Sequence, residues 1–245
     1  MSKFFSNYST PGTSSKPELD LSDHWVGYVR STKQVIYSPK VDVDPNGHGY
    51  VDLGLPSGTL WATQYISSSS NGKGDYFAWG EIETKSTYYW DNYKFGTTDI
   101  PTKYNAADGK TVLDLEDDAA HVLWGGTWRI PTIEQINELK TYCTVVYSSM
   151  SSTVNVFTST INGNTLRLGN TGYAVGNNSG LSPSYCFIWS SNVITRNNCT
   201  TASSYGTDYS LSSNRSAGYC IRPVLNAQRR FLSQGGWSEP WNIPQ

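Results

Sequence analysis

The sequence predicts an α+β protein in which short strands and long irregular loops outnumber two helices. Two segments carry helical periodicity, whereas the rest alternates between short apolar stretches and runs of Ser, Thr, Asn and Gly. Only 16% of the residues are charged and 13% are aromatic, so aromatic side chains must build much of the core. This balance favours a β-rich protein of the cell exterior or of a virion over a helical cytosolic enzyme.

The first 46 residues predict an arm followed by two short strands. Residues 1 to about 20 are rich in Ser, Thr, Pro and Gly, which is typical of a flexible segment. Residues 24–43 contain two strand-like stretches around a polar turn, and DPNGHG at 44–49 predicts a turn at a boundary. We interpret residues 1–46 as an anchoring or assembly segment outside the main domain, which spans residues 47–225.

The main domain opens with a dense region of strands. YVDLGLPSGTLWAT (50–63) predicts two strands joined by a Pro-Ser-Gly turn, and DYFAWGE (75–81) predicts a buried strand or tight loop. Residues 84–110 show no periodicity and predict a long irregular excursion.

Two helices follow. LEDDAAHVLWGG (115–126) predicts a short helix, because its acidic start favours the positive end of the helix dipole and its two glycines end it. The second helix spans 132–143, where Thr132 and Gln135 form a capping box before an apolar face at helical spacing.

The last third of the domain predicts strands only. VFTSTINGNTLRL predicts a hairpin that turns at Asn162 and Gly163. YCFIWSSN (185–192) and GYCIRPVL (218–225) are the strongest strand segments, and the 25 residues 193–217 between them predict loops and a short exposed strand. We expect the two segments to be neighbours whose apolar side chains hold the scaffold, namely Phe187, Trp189, Ile221 and Val224.

Charge and hydropathy exclude several classes of partner. The net charge is −2 and no basic block exists, which disfavours nucleic acid. No apolar run approaches the length of a membrane span, so we expect no membrane insertion. The N-terminus also lacks the apolar core of a signal peptide. We therefore expect either a protein outside the general secretory pathway or one whose signal is missing from this sequence.

The four cysteines leave two structural interpretations open. Cys143, Cys186, Cys199 and Cys220 contain no C-x-x-C pair, which argues against zinc. They are either small buried side chains or include one disulfide, between Cys220 and either Cys186 or Cys199. A catalytic thiol is disfavoured because all three histidines lie far upstream.

Paired carboxylates raise the possibility of glycoside hydrolysis. They occur at Asp117 and Asp118 and at Glu81 and Glu83. We interpret the first pair as charges at a helix start and the second as part of a surface loop. No calcium-binding run of acids and amides occurs near the late strands, where Asp208 is the only acid between Ser151 and Ala227. We expect no metal, no cofactor and no enzymatic activity.

Five motifs in order resemble the FISUMP-type major paralogous domain of gut Bacteroidetes and related bacteria. The match covers roughly residues 47–225, and residues 226–245 form an extension beyond it. The resemblance implies a C-type lectin-like fold with two helices, small antiparallel sheets and long irregular loops, here preceded by a short β-containing N-terminal segment. The motifs are YVDLGLPSGTLWAT, GDYFAWGE, DDAAHVLWGGTWRIPT, WSSN and GYCIRPV.

The same fold is the scaffold of variable proteins made by diversity-generating retroelements. Their variable stretch lies near the C-terminus and ends in a strand similar to GYCIRPV. Mutation of template adenines in AAC-type codons cannot yield Lys, Glu, Gln, Met or Trp. The 77 residues from Ser151 to Ala227 contain no Lys, Glu, Gln or Met, whereas the other 168 residues contain 25 of these four types. This depletion favours a variable protein, although any polar β-surface poor in charge would show a similar pattern.

The late polar residues have the composition of a recognition surface. Tyr gives large amphipathic contacts at low entropic cost, and Ser, Asn and Gly give adaptable hydrogen bonds, as in antibody paratopes. We interpret Trp189 and Arg222 as scaffold. The predicted ligand contacts are Tyr185, Ile194, Arg196, Asn197, Asn198, Thr200, Thr201, Tyr205, Asp208, Asn214, Arg215 and Tyr219.

The resemblance implies a bacteriophage virion protein, associated with tail or capsid, that binds a protein or glycan on the host surface. Its N-terminal segment would bind other virion proteins, and we expect a homo-oligomer, by analogy a trimer. One alternative is an adhesin domain of the same family on the bacterial cell surface. A second is a formylglycine-generating-type oxidase, for which Cys199 and Cys220 are the candidate thiols but no surrounding motif occurs.

Overall fold

The computed structural model describes residues 24–29, 34–39, 42–67, 73–147, 154–194, 198–203 and 211–226. The chain divides into two units, residues 1–41 and 42–245. In the first unit, β1 (His24–Val29) and β2 (Gln34–Pro39) pair antiparallel as a hairpin. This confirms the two strands predicted before the turn at 44–49.

The described part of the second unit contains two α-helices among short strands. The helices are α1 (Ala119–Trp124) and α2 (Ile133–Tyr142). The strands are β3 (Asp42–Val43), β4 (Gly49–Asp52), β5 (Thr59–Ala62), β6 (Cys143–Val146), β7 (Val154–Ser159), β8 (Thr165–Gly169), β9 (Tyr173–Val175), β10 (Asn178–Leu181), β11 (Phe187–Val193), β12 (Asn198–Ser203), β13 (Leu211–Asn214) and β14 (Val224–Asn226).

The strands form small antiparallel sheets, which confirms the mixed α+β class. One sheet has the order β14–β5–β4–β3, so the last described strand pairs with one of the first. Two three-stranded sheets have the orders β6–β7–β8 and β11–β12–β13, and β9 pairs with β10. The predicted hairpin at Asn162 and Gly163 is confirmed, because β7 pairs with β8 on either side of it. Apart from isolated bridges at Tyr88, Gly96 and Pro101, the excursion at 84–110 contains only a 3-10 turn at Trp90–Asn92.

Helix α2 begins where its sequence predicts. The Thr132 side chain accepts the N–H of Gln135, and the Gln135 side chain accepts the N–H of Thr132. These two bonds satisfy donors that the first helical turn otherwise leaves free. On the inner face of the helix, Ile136 and Leu139 are buried.

Helix α1 is shorter than the predicted 115–126. Leu115–Asp117 form a 3-10 turn, and the α-helix begins only after Asp118. The reason is that the Asp118 carboxylate caps the helix, accepting the N–H groups of Ala120 and His121. Both Asp118 oxygens also accept the N–H of Ile130, at 3.1 and 2.9 Å. One buried carboxylate therefore joins the start of α1 to the segment before α2.

The two late strand segments are neighbours, although they do not form a continuous ladder. A single parallel bridge joins Ile188 to Cys220, and the N–H of Trp189 donates to Cys220 O at 3.0 Å. The pairing stops there because the backbone of residues 218–224 forms isolated bridges to several other parts of the chain, at Ala174, Phe77 and Arg129. Only β14, at the end of the second segment, joins a sheet. Between the segments the chain forms two strands, β12 and β13, where one was predicted.

Two tryptophans cross-link the core around β11. The Trp189 indole N–H donates to Phe77 O at 2.7 Å, and the Trp79 indole N–H donates to Ser190 O at 2.9 Å. Both indoles are fully buried, so these reciprocal bonds satisfy groups that would otherwise be costly to bury. The residues predicted to hold the scaffold are all buried, which confirms that prediction; they are Phe187, Trp189, Ile221 and Val224.

Replacement of Trp189 by Phe tests this cross-link. The change removes one of the two donors to Phe77 O, the other being the Tyr219 N–H, and it removes part of a packed ring, so we expect the free energy of unfolding to fall by about 2 kcal/mol or more. Urea denaturation followed by circular dichroism measures the loss. Ile100→Ala is the matched control, because Ile100 is 74% exposed and its truncation should cost less than about 0.5 kcal/mol. Equal stability of the two variants would contradict the prediction.

Candidate functional site

Strand β11 runs from the core to the surface. Its residues from Phe187 to Ser191 are buried, Asn192 and Val193 are half-buried, and Ile194 beyond it is 52% exposed. Strand β12 pairs with it, but the register shifts between Trp189 and Val193. This irregularity coincides with the change from buried to exposed residues. The three-stranded sheet therefore has one end rooted in the core and one end at the surface.

Thr171 fixes the start of β11. Its hydroxyl donates to Phe187 O and accepts the N–H of Phe187, both at 2.9 Å. The N–H groups of Thr171 and Gly172 both donate to Tyr185 O at 3.0 Å. The backbone that carries the predicted contact Tyr185 is therefore held from two sides.

Two half-exposed tyrosines, Tyr173 and Tyr185, lie against buried aromatic rings near the start of β11. The rings of Tyr173 and Tyr185 both contact Phe187 edge-on, and Tyr173 also stacks on Tyr219 with centroids 5.5 Å apart. Rings held in this way lose little further entropy on binding. Tyr173 was absent from the predicted contacts because it lies in the TGYAV strand, twelve residues before Tyr185 in sequence.

The structure separates the predicted contacts into three groups. Ile194 and Asn214 are exposed and Tyr185 is half-exposed, whereas Arg215 and Tyr219 are buried. The backbones of Asn198, Thr200 and Thr201 lie on β12. The remaining predicted contacts lie outside the described residues; they are Arg196, Asn197, Tyr205 and Asp208.

Strand pairing brings some of these residues together and keeps others apart. Asn198 pairs with Asn214, and its neighbour Cys199 pairs with Val193, next to Ile194. These positions meet at the outer end of the sheet. Phe187 pairs with Ser203 at the other end, so Tyr185 lies away from this group. The described contacts therefore form two patches.

Arg215 was predicted as a ligand contact, and the structure corrects this. The side chain is fully buried, with one guanidinium N–H donating to Tyr104 O at 2.8 Å and another to Lys103 O at 3.3 Å. The guanidinium also lies 5.2 Å from the centroid of the Trp79 ring. The chain turns inward after β13, where the N–H of Trp79 donates to Arg215 O at 2.9 Å. Arg215 therefore anchors the C-terminal end of the polar run, by which we mean the Ser-, Thr- and Asn-rich residues between Ser191 and Arg215.

Tyr219 is likewise a core residue and not a surface contact. It is 7% exposed, and its backbone exchanges two 3.0 Å hydrogen bonds with Phe77. Its ring packs edge-on against Trp189 at 4.6 Å, and burial raises the pKa of its hydroxyl. The apolar motif around it, GYCIRPV, gave no local signal that the Tyr ring points inward.

An ionic network supports the anchor. The Tyr104 hydroxyl donates to Asp117 at 2.7 Å, and the Lys103 ammonium contacts Asp114, Glu116 and Asp117 at 2.6 to 2.8 Å. Three carboxylates this close together have the chemistry to hold a metal ion. The Lys103 ammonium already supplies the positive charge at their centre. The cluster therefore serves to hold the Lys103–Tyr104 backbone that binds Arg215.

Cys143, Cys186 and Cys220 are free and buried. The disulfide between Cys186 and Cys220 is not formed, and Cys199 lies on β12 with its side chain outside the described residues. Burial raises the pKa of Cys143 and Cys186 to about 11 and raises that of Cys220 further. Since the thiolate is the reactive form, these thiols have little nucleophilic character near neutral pH.

Comparison with known proteins identifies no relative. No family model, no curated protein and no solved structure matches the chain. Neither of the described helices has the length and apolar character needed to cross a bilayer.

Substitution of Arg215 by Leu tests its role as an anchor. The change leaves Tyr104 O and Lys103 O without their donor, so we expect unfolding free energy to fall by about 3 kcal/mol. Arg167→Leu is the matched control because the Arg167 side chain is exposed, and it should change stability by less than about 0.5 kcal/mol. Chemical denaturation of both variants measures the difference, and a stable Arg215→Leu protein would refute the anchoring role.

The ionic network predicts a pH dependence. Burial alone would raise the pKa of Asp117, but hydrogen bonds from Lys103, Lys94 and Tyr104 hold it below its usual value. A lowered pKa in the folded state stabilises the protein above the unfolded pKa of about 3.9, and this contribution is lost as the pH falls through the folded pKa.

We therefore expect Asp117→Asn to be less stable than the wild type at neutral pH, with the difference shrinking below about pH 4. Urea unfolding across this pH range measures it. Asp99→Asn, at an exposed position, is the control. A difference that stays constant into the acid range would contradict the role of Asp117.

Proposed function

We propose that this protein is a ligand-binding virion protein of a bacteriophage, carried on the tail or capsid, whose C-type lectin-like domain displays a variable surface for host attachment. The five motifs that resemble the FISUMP-type domain support the family. The two helices, the small antiparallel sheets and the pairing of β14 with β5 are compatible with the layout that the resemblance implies.

One observation carries the proposal: a polar run is held at both ends by a buried scaffold. Ser190 and Ser191 are buried before it, and Arg215 and Ser216 are buried after it. Between them, Ile194 and Asn214 are exposed. Substitutions at exposed positions usually change stability by less than about 0.5 kcal/mol, so such a run can vary in sequence while the fold remains.

The burial of some residues limits which positions of the chain can vary in sequence. The stretch without Lys, Glu, Gln or Met extends from Ser151 to Ala227, yet it includes buried residues such as Phe157, Leu166 and Trp189. Free variation at those positions would create cavities or bury unpaired polar groups. We therefore limit the proposed variable positions to the polar segment after β11 and before Arg215, whose described exposed residues are Ile194 and Asn214.

The proposed surface suits a neutral or weakly charged ligand on a cell. Its Asn, Thr and Ser residues can form adaptable hydrogen bonds, while Tyr173 and Tyr185 offer a separate aromatic patch at the other end of the sheet. A host surface protein or a glycan would meet these requirements. Many copies on one virion would make weak individual contacts sufficient through avidity.

The alternatives differ in how well they account for the site. An adhesin domain on a bacterial surface would use the same residues and differ only in where it is displayed. An oxidase would need a reactive thiol, whereas Cys220 is fully buried with a raised pKa. Antibodies raised against the chain distinguish the first two: labelling of purified phage particles supports the virion protein, and labelling of intact bacteria without phage supports the adhesin.

A binding experiment tests the recognition surface. Fluorescently labelled protein is incubated with intact cells of a panel of gut Bacteroidetes, and bound protein is measured by flow cytometry. The double variant Ile194→Ser, Asn214→Ala should bind about tenfold or more weakly than the wild type, because central interface residues carry most of the affinity. Its thermal stability should stay unchanged, since both side chains are exposed.

Ile100→Ser is the matched control, since Ile100 is exposed and lies outside the proposed surface. It should bind cells as the wild type does. Equal binding of the double variant and the control would place recognition elsewhere on the chain. Absence of binding to every strain, by every variant, would count against host attachment.

A further inference from the structure

A cleft of about 240 Å³ lies where the start of α2, strand β11, strand β14 and the segment before α1 come together. It contains none of the residues of the proposed contact surface. Its walls combine apolar side chains with hydroxyls, an amide, a carboxylate and a guanidinium. The lining residues are Val112, Leu113, Asp118, Thr127, Arg129, Ile130, Thr132, Gln135, Ser191 and Val224.

Backbone hydrogen bonds tie the walls of the cleft to one another. Arg129 and Val224 exchange two bonds of 2.9 Å. The N–H of Leu113 donates to Ser191 O at 3.0 Å, and the N–H of Ser191 donates to Pro131 O at 2.8 Å. The cleft is therefore formed before any ligand arrives, which is the usual condition of small-molecule sites.

Most polar groups of the cleft are engaged by the protein. Asp118 accepts three backbone N–H groups, Gln135 is bonded to Thr59 and Thr132, and the Ser191 hydroxyl donates to Pro131 O. These groups shape the cleft and hold its walls.

Arg129 differs from them. Its side chain donates one hydrogen bond, to Trp128 O at 2.8 Å, although a guanidinium carries five N–H donors. None of the ion pairs formed within the described part of the chain includes Arg129. The residue is half-buried, so a carboxylate brought to it would be partly shielded from water.

We propose that this cleft binds a small monocarboxylate with a short apolar body. The ligand carboxylate accepts hydrogen bonds from the Arg129 guanidinium, for which a carboxylate is the matching planar partner. The Thr127 and Thr132 hydroxyls lie in the same lining and can add donors. Val112, Ile130 and Val224 supply apolar wall for the hydrocarbon part.

Charge and size select this class over others. The buried Asp118 carboxylate lies in the same lining, so a dianion such as phosphate meets repulsion that a monoanion meets less strongly. An amine would be repelled by Arg129, and the Asp118 oxygens that could attract it already accept three backbone N–H groups. A cavity of about 150 Å³ holds benzene, so a cleft of about 240 Å³ admits an acid of a few carbon atoms.

Nuclear magnetic resonance titration tests the proposal with four defined probes. The wild-type protein, labelled with ¹⁵N, is titrated with 3-methylbutanoate, its neutral amide, the corresponding amine and inorganic phosphate. We expect saturable shifts of the cleft amides with the carboxylate, and affinity about tenfold or more weaker for the other three. Equal affinity for the amide, or no shift with the carboxylate, would overturn the proposal.

Two substitutions assign the effect to the cleft. Arg129→Gln should abolish carboxylate binding, and Arg167→Gln, at an exposed arginine, should leave it unchanged. Val112→Trp should also abolish binding, because it fills the cleft from a position 41% exposed that tolerates a larger side chain. Retained binding in a folded Arg129→Gln or Val112→Trp protein would refute the site. These outcomes are independent of cell attachment, which rests on other residues.

Discussion

The described fold depends on the segment DYFAWGE, which joins two distant parts of the chain through two tryptophans. Trp189 donates its indole N–H to Phe77 O, and Trp79 donates its indole N–H to Ser190 O. The backbone N–H of Trp79 also holds Arg215 O. Because all these groups are buried, each bond is needed to offset the loss of hydration. The segment therefore holds the chain both where it enters the polar run and where it leaves it.

This arrangement separates the stabilising contacts from the proposed recognition surface. Buried aromatic rings and the Arg215 anchor stabilise the scaffold, and the ionic network around Asp117 holds the carbonyls to which Arg215 donates. Ile194 and Asn214, by contrast, are exposed. A segment held in this way can change its exposed side chains while its ends remain in place, which is what the proposed variable surface would require.

Two buried charged side chains, Asp118 and Arg222, lie at positions where the fold tolerates little change. Asp118 caps α1 and binds Ile130, and Arg222 lies against the Tyr65 ring with its centre 4.3 Å from the ring centroid and donates to Arg167 O. Burial raises the pKa of Asp118 and lowers the pKa of Arg222. Such groups persist only where the surroundings satisfy them. Arg129 is the contrast, since it is half-buried and has most of its donors turned to no described partner.

Local patterns in the sequence determined the elements whose signals lie within a few residues. The capping box of α2, the turn at Asn162 and Gly163 and the burial of Trp189 were all predictable because neighbouring residues carry them. Tertiary structure alone decided that Arg215 and Tyr219 are buried, that Asp118 delays α1, and that Arg129 faces a cleft. Arg215 binds Tyr104, 111 residues away, and no local pattern contains a contact of that range. Residue type showed which side chains could bind a ligand, and only their burial showed which of them remain able to do so.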